Sequence, residues 1–212
     1  MILSLNETRV LGVLCEKQRT VPDSYPMTLN SLLAGCNQKT SRDPVLELTE
    51  SDVLAALDGL REHSLIIEQS GSRVARYAHN LERVLQIPTQ SSAILTALML
   101  RGPQTSAELR TNCERLHKFS DISALEAFLA ELSERSAGAL VIELPRQPGA
   151  RENRWMHLLS GEVDLSQFAA GSIAAAADPA LKTRVEELEA EVALLKNQLA
   201  HLARELGVSL PE

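Results

Sequence analysis

Leu65-Ile66-Ile67, then Gly71-Ser72, then Arg73-Val74-Ala75-Arg76-Tyr77-Ala78 is the stretch that decides the fold. Its first piece is short, apolar and β-branched, the Gly-Ser pair supplies a turn, and the last piece alternates, so it predicts a β-hairpin. Three helical patterns precede it. Ser4-Leu5-Asn6-Glu7 has the form of a capping box and opens a helix carrying Val10, Leu11, Leu14 and Cys15 at helical spacing, to about Lys17. Thr28 caps a second helix whose apolar face is Leu29, Leu32, Leu33 and Cys36. After a polar loop from Asn37 to Leu48, Thr49-Glu50-Ser51-Asp52 starts a third, with Val53, Ala56, Leu57 and Leu60 on one stripe and an end near His63. Three short helices followed by a hairpin is the order of a winged helix.

The order recurs downstream. After Pro88, Thr89 precedes the apolar run Ala93 to Leu100, which Gly102-Pro103 stops. Thr105-Ser106-Ala107-Glu108 is another capping box, and Leu109 and Cys113 stand from Thr105 as Leu32 and Cys36 stand from Thr28. The repeat is internal and positional. A third helix with Ile122, Leu125, Leu129 and Leu132 on its apolar face follows, then a strand Ala139 to Leu144, a long turn from Pro145 to Asn153, and a return strand beginning Arg154-Trp155-Met156-His157. The expected fold is mainly α with small β-hairpins, an α+β chain of two tandem winged-helix domains, residues 1–84 and 85–160.

Cys36-Asn37-Gln38-Lys39-Thr40-Ser41-Arg42-Asp43-Pro44-Val45, Leu100-Arg101-Gly102-Pro103-Gln104-Thr105, and Leu144-Pro145-Arg146-Gln147-Pro148-Gly149 with Leu158-Leu159-Ser160-Gly161 resemble the hallmark stretches of the bacterial YceH family. The resemblance covers about residues 4 to 161. It implies a tandem winged-helix fold and brings with it no catalytic residue, cofactor or substrate.

The tail reads differently. Residues 161–178, with Gly161, Gly171, Ser172 and Ala174 to Ala177, form a low-complexity linker. Within residues 179–207 an unbroken heptad follows, with Leu181, Leu188, Leu195 and Leu202 at d and Val185, Val192, Leu199 and Leu206 at a. Val at a with Leu at d favours a parallel pair, Arg184 would face Glu189 of a partner helix, and Glu191 would face Lys196. A C-terminal coiled-coil helix and a homodimer are therefore expected.

Composition narrows the function classes. The 212 residues are 44% hydrophobic and 23% charged, enough for a buried core, whereas the 3% aromatic content argues against aromatic-lined pockets and base-stacking platforms. No run of about 18 apolar residues and no basic leader is present, so a cytoplasmic protein without a membrane partner is expected. Cys15, Cys36 and Cys113 are expected as small buried residues, with Cys36 and Cys113 equivalent. The five histidines, His63, His79, His117, His157 and His201, show no metal-ligand spacing. Phosphate-loop, nucleophile-elbow and dinucleotide motifs are missing too. We expect no metal, no cofactor and no enzyme.

Charge makes the remaining choice difficult. The net charge is -7, distributed as -2 over residues 1–80, 0 over 81–160 and -5 beyond. The candidate nucleic-acid contacts are therefore local: Lys39 and Arg42 before the third helix, Arg73 and Arg76 in the first hairpin, and Arg146, Arg151 and Arg154 in the second. Against them stand Asp52, Asp58 and Glu62 on the outward face of one third helix and Glu126 and Glu134 on the other, which repel phosphate. The expected function is a non-enzymatic, transcription-regulator-like protein touching DNA through its wings. The alternative is an adaptor that binds other proteins through the same domains and the coil, without DNA.

Overall fold

Ser4 closes its capping box as anticipated: its Oγ accepts from the Glu7 amide at 3.3 Å and the Glu7 carboxylate accepts from the Ser4 amide at 2.6 Å. Helix α1 (Leu5–Thr20) grows from that cap and runs a turn beyond the expected end at Lys17. The computed structural model describes residues 1–69, 74–147, 149–163 and 165. A short 3-10 turn (Pro22–Ser24) leads to strand β1 (Met27–Thr28), and the Thr28 hydroxyl caps α2 (Leu29–Cys36) by accepting from the Ser31 amide. Helix α3 (Glu50–Glu62) starts at a reciprocal Thr49–Asp52 box. The hairpin strands are β2 (Ile66–Gln69) and β3 (Arg76–His79). A short helix α4 (Leu81–Leu85), which no expectation covered, ends at Gln86 in left-handed conformation (φ 51°).

The second set follows the same order. Helix α5 (Thr89–Arg101) stops at Gly102, whose φ of +68° suits glycine. Helix α6 (Ser106–Cys113) carries the Thr105–Glu108 box, α7 (Ile122–Ser133) is capped by Asp121, and strands β4 (Val141–Leu144) and β5 (Arg154–His157) form the second hairpin. The architecture is α+β, with seven α-helices and two small antiparallel sheets among the described residues, an arrangement consistent with a winged helix.

The first sheet has the order β1-β3-β2, with Met27 opposite Tyr77 and Ile66 opposite His79. In the second, Val141 stands opposite His157 and Leu144 opposite Arg154, and an isolated bridge joins Gln104 to Trp155 through both backbone bonds, 2.7 and 3.1 Å. That bridge is the second sheet's counterpart of β1: Met27 and Gln104 each immediately precede a capping threonine and each pair with the aromatic residue of the return strand.

The core forms along α1 and α5. Every residue from Thr8 to Cys15 and from Ser91 to Leu100 is buried, so each helix is enclosed on all sides rather than along one stripe. They pack on one another. A Cβ at Gly12 would lie 2.9 Å from Leu100 Cδ2, so the missing side chain sets how closely the two helices approach. One continuous hydrophobic cluster takes in Leu11 and Leu57 from the first set and Leu98 and Leu129 from the second, and the described residues all belong to one compact unit. The α3 stripe Val53, Ala56, Leu57 and Leu60 is buried as read from the sequence. Ile122 departs from its expected place: it is the first residue of α7, 40% exposed, and the buried stripe begins at Leu125. The first turn projects past the core, so periodicity alone placed it wrongly.

Candidate functional site

The candidate cations fall into three groups. At the base of each hairpin, the first residue of the return strand is an arginine, and both do the same internal work. Arg76 Nη1 donates to the Pro26 carbonyl at 2.8 Å and Arg154 Nη1 to the Pro103 carbonyl at 2.7 Å. Pro26 and Pro103 each lie two residues before the capping threonine of α2 or α6, so each arginine ties its hairpin to the entry of a helix. Arg154 also pairs with Glu108 at 3.0 Å. The Thr105 amide and then Arg154 hold that carboxyl below its usual range. Each arginine spends part of its fork on the protein's own backbone.

The second group sits in the α2–α3 connection. Arg42 was expected as a phosphate contact, and here the structure corrects the sequence: its side chain is fully buried. It reaches the Glu16 carboxylate with two nitrogens at 2.7 and 3.1 Å, the Gly35 carbonyl, the Ser41 carbonyl and Gln38 Oε1. Every side of the guanidinium is occupied, leaving no donor for an outside anion. Burial alone would raise the Glu16 carboxyl, but the bonds and charge of Arg42, and then Lys17, hold it low. Arg9, also buried, donates to the carbonyls of Cys36 and Pro44, and Asn37 both donates to the Leu48 carbonyl and accepts from the Leu48 amide. The stretch Cys36 to Val45 is thus a set of fastenings for a loop too long to hold itself. Lys39, in the same loop, is exposed.

The third group is at the tip of the second hairpin. Arg146 and Arg151 are exposed, and both line an open groove of about 570 Å³ between the hairpin and the start of α7. Glu126 of α7 and Glu143 and Glu152 of the hairpin share its rim, and Ile122, Ala107 and Trp155 give it apolar surface. Arg73 lies outside the described residues, as do all the heptad positions Leu181, Val185, Leu188, Val192, Leu195, Leu199, Leu202 and Leu206. The outward face of α3 is formed by exposed Leu54, Ala55, Asp58 and Glu62. Arg61, the cation there, is engaged with both Asp58 and Glu68.

Two of the five histidines, read from the sequence only as lacking metal-ligand spacing, hold matching places in the two hairpins. His79 and His157 close their return strands, opposite the first residue of the outgoing strand in each case. His157 is buried and His79 half-buried, and desolvation lowers the pKa of each, that of His157 to about 4. The signal was present: Arg76-Tyr77-Ala78-His79 and Arg154-Trp155-Met156-His157 share arginine, an aromatic, and histidine in the same places. The His79 ring meets Gln18 Oε1 at 2.7 Å, whereas His157 Nδ1 is buried without a partner among the described residues. Cys36 and Cys113 both end their helices wholly buried, and burial pushes their thiols, like that of Cys15, up to about 12. No cluster of three metal-ligating side chains occurs among the described residues, and none of their helices is long and apolar enough to cross a membrane.

Comparison with known proteins agrees with the resemblance read from the hallmark stretches. The family described as "Protein of unknown function, DUF480" matches residues 3–150. A UPF0502 protein of Dechloromonas aromatica is 59% identical over 206 residues, covering 96% of this chain and 97% of its own. A UPF0502 protein of Acidovorax sp. is 58% identical, covering 98% of this chain and 95% of its own, and one of Leptothrix cholodnii is 56% identical with 96% and 95% covered.

Proposed function

The chain belongs to the DUF480 (UPF0502) family, and we propose that it is a non-enzymatic, cytoplasmic tandem winged-helix protein that docks another protein in the groove between α7 and the second hairpin. The observation that carries this reading is the groove's lining. Three carboxylates, Glu126, Glu143 and Glu152, stand against two guanidiniums around an apolar floor that includes the exposed Ile122. A phosphate backbone entering there would meet more negative than positive charge. A segment with an apolar anchor and basic flanks meets complementary groups instead. Of the arginines a DNA surface would need, Arg42 is wholly engaged inside the fold and Arg76 and Arg154 each give part of their fork to a backbone carbonyl.

Benzoylphenylalanine placed at Ile122, with cross-linking in cells, tests the docking. The expected product is an adduct of discrete mass that protease removes and nuclease leaves intact, and that Ile122→Arg placed beside a neighbouring cross-linker abolishes. An adduct removed by nuclease would overturn the reading.

DNA contact through the wing is the second reading, favoured by the exposure of Arg146 and Arg151. Its expected signature is a salt slope of about -0.9 per phosphate met, so roughly -2 for two contacts per protomer. The heptad from Leu181 to Leu206 makes a parallel homodimer in either reading. Sedimentation of the full chain against one ending at Ser160 tests that, a dimer and a monomer being the expected masses.

A further inference from the structure

A second recess lies away from the hairpins, where the ends of α1, α5 and α6 meet the first residues of the α2–α3 connection. It has a volume of about 190 Å³. Three cations line it, one from each helix end: Lys17, Arg101 and Arg115. Glu16 is the one carboxylate in the lining, and its charge is already taken by buried Arg42 and by Lys17, at 2.7 and 3.0 Å. In a chain of net charge -7, this is a local positive excess inside a concave surface.

The recess is also braced. Arg101 Nη2 donates to Ser41 Oγ at 2.7 Å, and the Asp43 amide donates to the Leu100 carbonyl at 2.8 Å, so the connection is pinned across the end of α5. Ser41 is held in the left-handed region (φ 61°), a costly conformation for a residue with a side chain, and it keeps its hydroxyl at the recess wall. Thr40 adds a second hydroxyl. Lys17 and Arg101 also complement the carbonyl ends of α1 and α5, which gives them a second reason to be there. Among the described residues Arg115 has no hydrogen-bond or ion-pair partner, so its five donors are open to a ligand.

We propose that this recess binds a small oxyanion of the phosphate class, free phosphate or the phosphate group of a small ester, through Lys17, Arg101 and Arg115 with the hydroxyls of Thr40 and Ser41. The volume admits a phosphate with further atoms attached. A ligand seated there would contact the ends of three helices and the connection together. Nothing in the inference depends on what the α7 groove binds.

Thermal melting of the full chain with inorganic phosphate, glycerol phosphate and sodium chloride at matched ionic strength is the test, with isothermal titration alongside. Either phosphate is expected to raise Tm saturably, by about 2–5 °C at ten times its Kd. Tighter binding of the ester identifies a small-metabolite site, and equal binding identifies free phosphate. Arg115→Gln should leave the melting temperature of the unliganded protein unchanged, because Arg115 fastens none of the other described residues, and weaken phosphate about tenfold. Lys39→Gln, outside the recess, should leave the titration unchanged. No saturable shift beyond that of chloride, or a shift of equal size in Arg115→Gln, would overturn the proposal.

Discussion

The two helix-and-hairpin sets share one frame and fasten it in different ways. Both have the capping threonine, the buried cysteine, the arginine bonded to a proline carbonyl and the strand-closing histidine in register. They part at the connection between second and third helices. In the first set the connection is polar and held by buried Arg42 and Arg9. In the second, Phe119 is buried against Phe128, with ring centroids 6.0 Å apart, and His117 packs edge-on to it at 4.8 Å. The same topology is closed once by charge-assisted hydrogen bonds and once by an apolar plug.

That contrast can be broken most forcefully at Arg42. Arg42→Ala strands the Glu16 carboxylate and two carbonyls and should destabilise the fold by about 3–5 kcal/mol in urea unfolding. Phe119→Ala, a cavity, should cost a similar ~3–5 kcal/mol. The two should differ in kind. Arg42→Met, which fills the space without the charge, combined with Glu16→Gln, should recover much of the loss, because a buried pair is often replaceable by apolar volume. A loss under about 1 kcal/mol for Arg42→Ala would mean that the connection is not held where its bonds lie.

The histidines sharpen the comparison at the next level. His157 is buried and stays neutral in the fold, with its pKa near 4 rather than 6.5. Its unfolded form takes up a proton first as pH falls, so the contribution is complete above about pH 6.5 and is lost progressively toward pH 4. The loss at the acid end is on the order of 3 kcal/mol. His79, also lowered by burial, has Gln18 on its ring and Glu82 opposing the shift, so its share of the pH dependence should be the smaller. Denaturant midpoints at pH 7 and pH 5 should converge for His157→Phe and stay well apart for His79→Phe. Equal slopes in the two variants would remove the distinction.

How much of this the residues disclosed can be traced element by element. The capping boxes at Ser4 and Thr105 were legible because the signal is local, two side chains and two amides within one turn, whereas at Thr49 only the helix start was read and the Asp52 box came with the structure. The α3 stripe and the buried cysteines were legible from helical period. Arg42 misled, since a loop arginine in sequence looks like a solvated one, and only the fold brings Glu16 and the Gly35 carbonyl around it. The burial of α1 and α5 on every side was visible only as an unusually apolar run in α5, because which helices become central is settled by the packing of both sets together. The recess proposed to bind phosphate had no sequence signature at all: Lys17 comes from α1, far earlier in the chain than Arg101 at the end of α5 and Arg115 in the turn after α6. Conversely, the heptad that reads most plainly in sequence lies outside the described residues.

The smallest expected effects separate the base of a hairpin from its tip. Arg76→Ala and Arg154→Ala each remove a charge-assisted bond to a proline carbonyl, but both side chains are solvent-accessible, and that of Arg154 is 42% exposed, so the electrostatic share is screened. A cost of about 1 kcal/mol apiece is expected, similar in the two because the geometry is repeated. Arg146→Ala and Arg151→Ala remove exposed groups that fasten no element, and each should stay within ~0.5 kcal/mol of the parent. Binding should sort the same four residues the other way. On mixed genomic fragments in a salt series, the wing reading expects the tip pair to lower affinity and flatten the slope by about one per arginine, while the base pair leaves the slope unchanged. The docking reading expects no DNA complex at low salt in parent or variants. Should the base variants flatten the slope while the tip variants do not, both assignments of these arginines would have to be exchanged, and the equivalence drawn between Arg76 and Arg154 would become a shared nucleic-acid contact rather than a shared fastening.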